Sequence, residues 1–354
     1  MANRWRDLSG PCQDLVKKPK PVHFIVCATP AFAYVAAMMR ASLIFATLLL
    51  AAAGCGPSAR SNGELDASGN GDGNGNGDGR TTDADTGPCR RMDFVFVVDD
   101  SGSMREEQTS LGAAFPQFAT VLNDYRITTG QELDYRVALT TTGRTVNWSV
   151  STPLGTIPMN ETGDNGAFRN NCGVPRRWLE RTDPTMATAL ACRADVGTGG
   201  PTFEMPMLTT MMSLKDRITD GTNAGFLRDD ALLAIVIITD EDDCSRRDNN
   251  FSVSNDHDGC AVMPNELVTF LDTLKGGRGR WAAAIVAGPG PGSCTSSFGE
   301  AAEAKRLKTF VTNANAGASQ NVVFSSICDG NMAASLTAAL DKFQSACESF
   351  PPVE

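Results

Sequence analysis

The chain has 354 residues, 42% hydrophobic and 20% charged, a composition that suits a large folded domain and excludes disorder throughout. Its formal charge is −10, and from residue 55 onward 25 basic residues stand against 39 acidic ones, so the surface repels phosphate backbones and nucleic acid is excluded as a partner. Two histidines, His23 and His257, leave little for imidazole catalysis or a His-rich zinc site.

Residues 38–54 carry Arg40, an apolar run over 43–53 and Gly54, the plan of a signal peptide. The run is too short for a bilayer, which takes roughly 20 residues. Ala52-Ala53-Gly54-Cys55 resembles the bacterial lipobox, with Ala52 where Leu is commoner. That resemblance makes Cys55 the lipidated first residue of the mature protein. An ordinary secretory signal with an incidental Cys55 is the alternative, and either exports the protein. Residues 1–37 precede the signal and are expected to be an upstream extension, with translation starting at Met38 or Met39. Gly56 after the cysteine, by the same likeness to lipoproteins, implies the outer membrane, on its periplasmic face or the cell surface, with the lipid anchor as the one membrane contact.

Residues 55–88 then form a linker. Gly, Asn, Asp, Ser and Thr dominate residues 58–87, which have no apolar face to bury and are expected to be a flexible tether. Asp72 and Asp78 lack the apolar neighbours that a calcium-binding solenoid needs to stack.

Of eleven cysteines, Cys12 and Cys27 lie upstream of the signal and Cys55 is the lipid candidate; Cys89, Cys172, Cys192, Cys244, Cys260, Cys294, Cys328 and Cys347 remain. An even number in an exported domain argues for disulfides, and no pair has zinc-knuckle spacing. Spacing alone leaves the connectivity open. The expectation is local closure, Cys172 with Cys192, Cys244 with Cys260 and Cys294 with Cys328, with Cys89 to Cys347 tying the ends.

Residues 89–348 read as one domain. Strands are predicted over 92–98, 135–142, 232–239, 281–287 and 321–325, and helices over 105–123, 265–274, 300–313 and 332–345. Leu111, Phe115, Phe118 and Leu122 share one face of the first helix. The run over 232–239 is apolar on both faces, as in the middle of a parallel sheet. This alternation predicts an α/β fold with a doubly wound, mostly parallel sheet flanked by helices. Residues 143–200, rich in Gly, Pro, Asn and Thr with two cysteines, are expected to be a disulfide-pinned loop insertion.

In such a sheet, ligands collect at the carboxyl ends of the strands. The first strand ends in Val98-Asp99-Asp100-Ser101-Gly102-Ser103 and the central one in Thr239-Asp240-Glu241-Asp242-Asp243. Gly102 is expected to permit a tight bend in the first loop. Hard oxygen ligands of this kind suit Mg²⁺, Ca²⁺ or Mn²⁺. Asp99-x-Ser101-x-Ser103 after an apolar strand resembles the metal-ion-dependent adhesion site of von Willebrand factor A domains. Two further pieces of that motif have counterparts. Gly199-Gly200-Pro201-Thr202 resembles the threonine loop, with Leu208 at the usual distance, and Asp240 matches the later aspartate. Pro201 departs from the pattern and leaves Thr198 as a rival to Thr202.

The resemblance implies that Ser101, Ser103 and Thr202 touch the metal and that Asp99 and Asp240 hold it directly or through water. A partner's carboxylate would fill an open position. The implied function is a cell-envelope lipoprotein that binds a protein or other ligand through the cation.

The bland alternative for Asp99 to Ser103 is a helix cap, with Glu106 completing a capping box on Ser103. Glu241-Asp242-Asp243 reads as a solvated turn or as a second, calcium-like site, and His257 as solvent-exposed. Sequons at Asn147, Asn160 and Asn250 read as chance. Two other function classes compete. One is a structural envelope protein with a degenerate metal site. The other is a metal-dependent hydrolase, against which a dehalogenase-like site would want Asp where Ser101 stands and no Gly-x-Ser-x-Gly elbow exists. The expectation is a binding protein without catalytic residues.

Overall fold

The computed structural model describes residues 89–127, 130–253, 259–296 and 299–351. The upstream extension, the signal, Cys55, the tether and His257 lie outside the described residues. The strands are β1 (Arg91–Val98), β2 (Asp134–Thr141), β3 (Val146–Thr152), β4 (Gly155–Glu161), β5 (Leu179–Glu180), β6 (Leu232–Ile238), β7 (Asn250–Val253), β8 (Trp281–Ala287), β9 (Cys294–Ser296), β10 (Gly299–Ala301) and β11 (Val322–Ser326). The helices are α1 (Arg105–Asp124), α2 (Met186–Ala194), α3 (Pro206–Met211), α4 (Arg217–Thr219), α5 (Pro264–Lys275), α6 (Lys305–Ala314) and α7 (Met332–Glu348).

Six strands form the main sheet in the order β11-β8-β6-β1-β2-β5, parallel except for the short edge strand β5. Alternate residues of β1 serve opposite faces. Phe94, Phe96 and Val98 face α1, α2 and α7, whereas Val95 and Val97 join the core that holds α3, α5 and α6. Both faces being covered, the strands read as unbroken apolar runs. Edge-to-face rings tie the first core together, with Phe94 on Phe118, Tyr135 and Phe343 and Phe96 on Phe115 and Phe118.

From β1 the chain winds through α1 to β2 on one side, and from β6 through α5 to β8 on the other. The winding therefore reverses between β1 and β6. In an open α/β sheet this switch point leaves a crevice at the carboxyl ends of the strands, here occupied by Asp99 and Asp240.

Residues 143–200 are more ordered than a loop. β3 and β4 form a hairpin that β7 joins in parallel, making a second sheet of order β4-β3-β7. It rests on the domain through Trp148 and Phe251, both edge-on to Phe203. The rest of the segment enters the main body, as β5 extends the large sheet and α2 lies on α1. Buried Arg193 of α2 holds the preceding loop by donating to the carbonyls of Asn171, Val174 and Arg176.

The cysteines from Cys89 onward are joined as Cys89–Cys347, Cys172–Cys192, Cys244–Cys260 and Cys294–Cys328. The long closure, 258 residues, is the kind that most restricts the unfolded chain, by about 5 kcal/mol in the chain-entropy account.

Beyond the insertion and the strands that pair with it, two departures from the sequence expectations bear on the site. The helix predicted from residue 300 begins at Lys305. Gly299 to Ala301 pair instead with β9, and the next N–H, of Ala302, donates to the Asp240 carbonyl at 2.8 Å. The second is α3, which passes through a π turn (Met212–Asp216) into α4 where no helix was predicted. Among the described residues no helix is long and apolar enough to cross a membrane.

Candidate functional site

β1 ends at Val98, and the N–H of Asp99 still donates to Ile238 of β6 at 2.9 Å, so the sheet ladder itself sets the two loops side by side. The Asp99 side chain is fully buried. One oxygen accepts from the Ser101 N–H at 2.8 Å and the other from the Thr239 hydroxyl at 2.6 Å, which turns Ser101 and Ser103 back over the strand end. The two serine hydroxyls are 2.9 Å apart, and that of Ser103 donates to Asp240 Oδ1 at 3.2 Å. Asp240 Oδ2 is buried with no partner. Four of the five expected ligands, Asp99, Ser101, Ser103 and Asp240, therefore form one chain of contacts.

The helix-cap alternative does not describe this loop. Ser101, at the N-cap of the short 3-10 turn Gly102–Met104, makes no side-chain capping bond, and the Ser103 hydroxyl is directed at Asp240. Nor does the bend draw on glycine's freedom, because Gly102 is absent from the positive-φ glycines.

Thr202 is placed otherwise than expected. It is exposed, and both its hydroxyl (2.7 Å) and its N–H (3.2 Å) donate to the Glu161 carboxylate at the end of β4. The insertion hairpin thus engages the hydroxyl that the resemblance assigns to a metal. The rival Thr198 borders the loop, its carbonyl oxygen lying 4.0 Å from where a Cβ on Gly102 would stand. Gly200 is required where it is. Its N–H donates to the Asp100 carbonyl at 2.7 Å, and a Cβ there would fall 2.3 Å from the Asp100 carboxyl carbon.

Three acids at this rim hold their protons unusually well. Burial first, and then the Asp99 charge, push Asp240 up to about 8 against the Ser103 hydrogen bond. Burial raises Asp99 to about 6 despite the Thr239 and Ser101 bonds. Asp100, half-buried and beside Asp99 and Asp164, rises to about 7, chiefly by desolvation. The neighbouring charges raising these values are carboxylates, Asp99, Glu107, Asp164 and Glu241. Crowded carboxylates with a buried oxygen of Asp100 and one of Asp240 unpaired, and two hydroxyls beside them, are a donor set that a hard divalent cation fits and relieves. Among the described residues no three His, Cys, Asp or Glu groups alone are placed to hold a metal, so the hydroxyls are part of any such cage.

In the acidic run after Asp240, Glu241 is exposed, whereas Asp242 and Asp243 are taken up by the fold itself. Asp242 accepts from the N–H groups of Arg306 (3.0 Å) and Leu307 (3.3 Å) and so caps α6. Asp243 is buried and accepts from the Met207 N–H at 2.9 Å and from Ser245. Both carboxylates are occupied with the starts of helices, whose free N–H groups attract negative charge.

Sequence reasoning passed over four side chains here. Thr239 orients Asp99, and Gln108 donates to the Asp99 carbonyl at 2.9 Å. Glu107 and Glu204 are each 2% exposed, with an oxygen unpartnered. Thr239 had a signal, being the last polar residue before Asp240. Glu204, lying between Phe203 and Met205, had none.

No protein-family model and no curated protein sequence matches the chain. Among solved structures, it is similar to proximal thread matrix protein 1 from the mussel byssus with a zinc occupied MIDAS motif, at 12% identity and a TM-score of 0.37 over 75% of this chain and 48% of that one. It is also similar to the pilus adhesin SpaC from Lactobacillus rhamnosus GG (10% identity, TM-score 0.36, 74% and 30% covered). A third is the manganese-loaded TRAP protein of Plasmodium vivax (10% identity, TM-score 0.32, 71% and 74% covered). The chain spans about half the mussel protein and under a third of the pilus adhesin.

Proposed function

We propose that this domain is a cation-dependent binding module in which Asp99, Ser101, Ser103 and Asp240 hold one Mg²⁺, Mn²⁺ or Ca²⁺ ion. A partner's carboxylate would complete the coordination. The carrying observation is the run of contacts from Ser101 through Ser103 to Asp240, ending in a buried, unpaired Asp240 oxygen at the switch point of the sheet. When bound, the ion supplies a Lewis-acidic centre with room for an acidic ligand. The protein's part is to hold lone pairs ready. Thr239 and the Ser101 N–H fix Asp99, and Ser103 fixes one oxygen of Asp240 while leaving the other free.

In this reading the protein is a binding protein, exported and anchored through Cys55, that presents the site at the cell envelope to a protein or other acidic ligand. Calorimetry tests it directly. Mg²⁺, Mn²⁺ or Ca²⁺ should give saturable heat with the parent protein and none with Asp240→Asn; no heat with the parent ends the reading. A pull-down from envelope extract with and without chelator should then recover the partner only when the cation is present.

A second reading, a structural envelope domain whose site has degenerated, is favoured by the engagement of Thr202 with Glu161. The same titration separates the two.

A further inference from the structure

Past the last strand pairing, the loop that carries Asp240 leans on the segment after β8. The Thr239 N–H still donates to Val286 of β8 at 3.1 Å. The next carbonyl, that of Asp240, instead accepts at 2.8 Å from the N–H of Ala302, the first residue after β10. Two residues on, Asp242 is taken up by the start of α6, into which the same segment leads. The Ser103 hydroxyl reaches Asp240 Oδ1 only at 3.2 Å, long for an O–H donor and weak as a lone fixing point. The placing of Asp240 therefore depends on where β9 and β10 lie. Those strands make three register pairs, and a two-stranded ribbon of that size is barely stable alone. Two contacts seat it. At one end Gly299, with a φ of 120°, closes over buried Glu107 of α1 so tightly that a Cβ there would fall 2.1 Å from Glu107 Oε1. At the other, Cys294 pairs with Ala301, the residue before Ala302, and is bonded to Cys328. Cys328 belongs to the 3-10 turn Ile327–Asp329 ahead of α7, which is fixed by buried Ile327 and by the Cys328 N–H donating to the Ser326 hydroxyl at 3.1 Å. The cross-link thus joins a weak ribbon to the first core.

We propose that β9 and β10 act as a strap that positions Asp240 for the cation, and that the Cys294–Cys328 cross-link keeps the strap in place. This rests on the cation-site reading above and deepens it. Neither cysteine is a ligand; both act through Ala302 on the Asp240 backbone, as positioning residues. With the strap seated, Asp240 is held ready before an ion arrives. With the strap loose, binding must also order the Asp240 loop, and the affinity falls although every ligand is still present. The cross-link Cys172–Cys192 offers a contrast, because it pins α2 to the loop that Arg193 also holds.

The test is calorimetric titration of the full chain with Mn²⁺, at a temperature where near-ultraviolet circular dichroism shows each variant folded. The variants are Cys294→Ser with Cys328→Ser, Gly299→Ala, Cys172→Ser with Cys192→Ser, and Asp240→Asn, each set against the parent. Gly299→Ala leaves every cross-link intact and lifts the strap from Glu107, so it carries the test by itself should the first double variant not fold. Both strap variants should weaken Mn²⁺ binding by about tenfold or more, the loss typical of groups that orient a metal's ligands. Cutting Cys172–Cys192 should lower the melting temperature and leave the affinity within about twofold, as a merely structural cross-link does. Parent affinity in either folded strap variant overturns the proposal, as does an equal loss on cutting Cys172–Cys192. Asp240→Asn separates the levels: if it binds Mn²⁺ as the parent does, or the parent binds none, the cation site itself is wrong, whereas loss there with parent affinity in the strap variants removes only the strap.

Discussion

β1 buries an aspartate near each end, and the fold answers the two differently. Asp93, at the amino end, and Asp99, just past the carboxyl end, are both 0% exposed. Asp93 is gripped by Arg228, whose N–H and guanidinium both reach it at 2.8 Å. Burial pushes its carboxyl above the ordinary value, while Arg228 and Lys275 pull the other way. Asp99 is met by hydroxyls and a backbone N–H, and the charge that acts on it is Glu241, another acid. Where the chain needs only to close its own base, it brings its own cations. At the carboxyl end the charges that act on Asp99 and Asp240 are those of other acids, the arrangement expected where the positive charge comes from solution.

The largest effect should come from breaking the satisfied end. Arg228→Ala strands Asp93 in the core and should cost about 3–5 kcal/mol, read from the urea midpoint, with no recovery on adding Mn²⁺. The unsatisfied end should respond with the opposite sign. Asp240→Asn removes a buried, half-paired carboxyl whose ionisation folding opposes and should raise stability in chelator by about 1–2 kcal/mol, while abolishing the melting-temperature rise that the cation gives.

Acidity should sharpen the same contrast. Asp99 and Asp240 titrate near 6 and 8 when folded, against an ordinary value of 3.8, so between about pH 4 and 8 the folded state binds more protons than the unfolded one. Stability in chelator should therefore fall as pH rises through that window, and saturating cation should flatten or reverse the slope of melting temperature against pH. The smallest effect belongs to Thr202→Ala, which loses an exposed contact with Glu161 and should change stability by less than about 1 kcal/mol, measured by thermal unfolding.

Much of the main sheet was legible because its signals are local. The apolar runs of β1, β6 and β8 and the face of α1 with Leu111, Phe115, Phe118 and Leu122 state their own burial. The elements missed depend on distant partners. α3 is buried on every side, so no polar face sets its period, and β3 pairs with β7 some hundred residues later. Glu300 and Ala301 are good helix formers but are drawn with Gly299 into a hairpin. The site divides in the same way. Asp99, Ser101, Ser103 and Asp240 lie at the ends of strands that could be read and are brought together. Thr202 was placed by likeness, and what holds it, Glu161, sits in a hairpin whose register no local pattern announces.

The position of β1 has a mechanical consequence. Were the chain held before Cys89 and a partner bound at Asp99, as proposed, tension would run along the axis of that single strand. Eight register pairs join it to β2 on one flank and seven join it to β6 on the other, all lying across the direction of tension, so they must shear together rather than unzip in turn. The cross-link from Cys89 to Cys347 diverts part of the strain into α7. Under traction the bond to the partner should yield before the domain does.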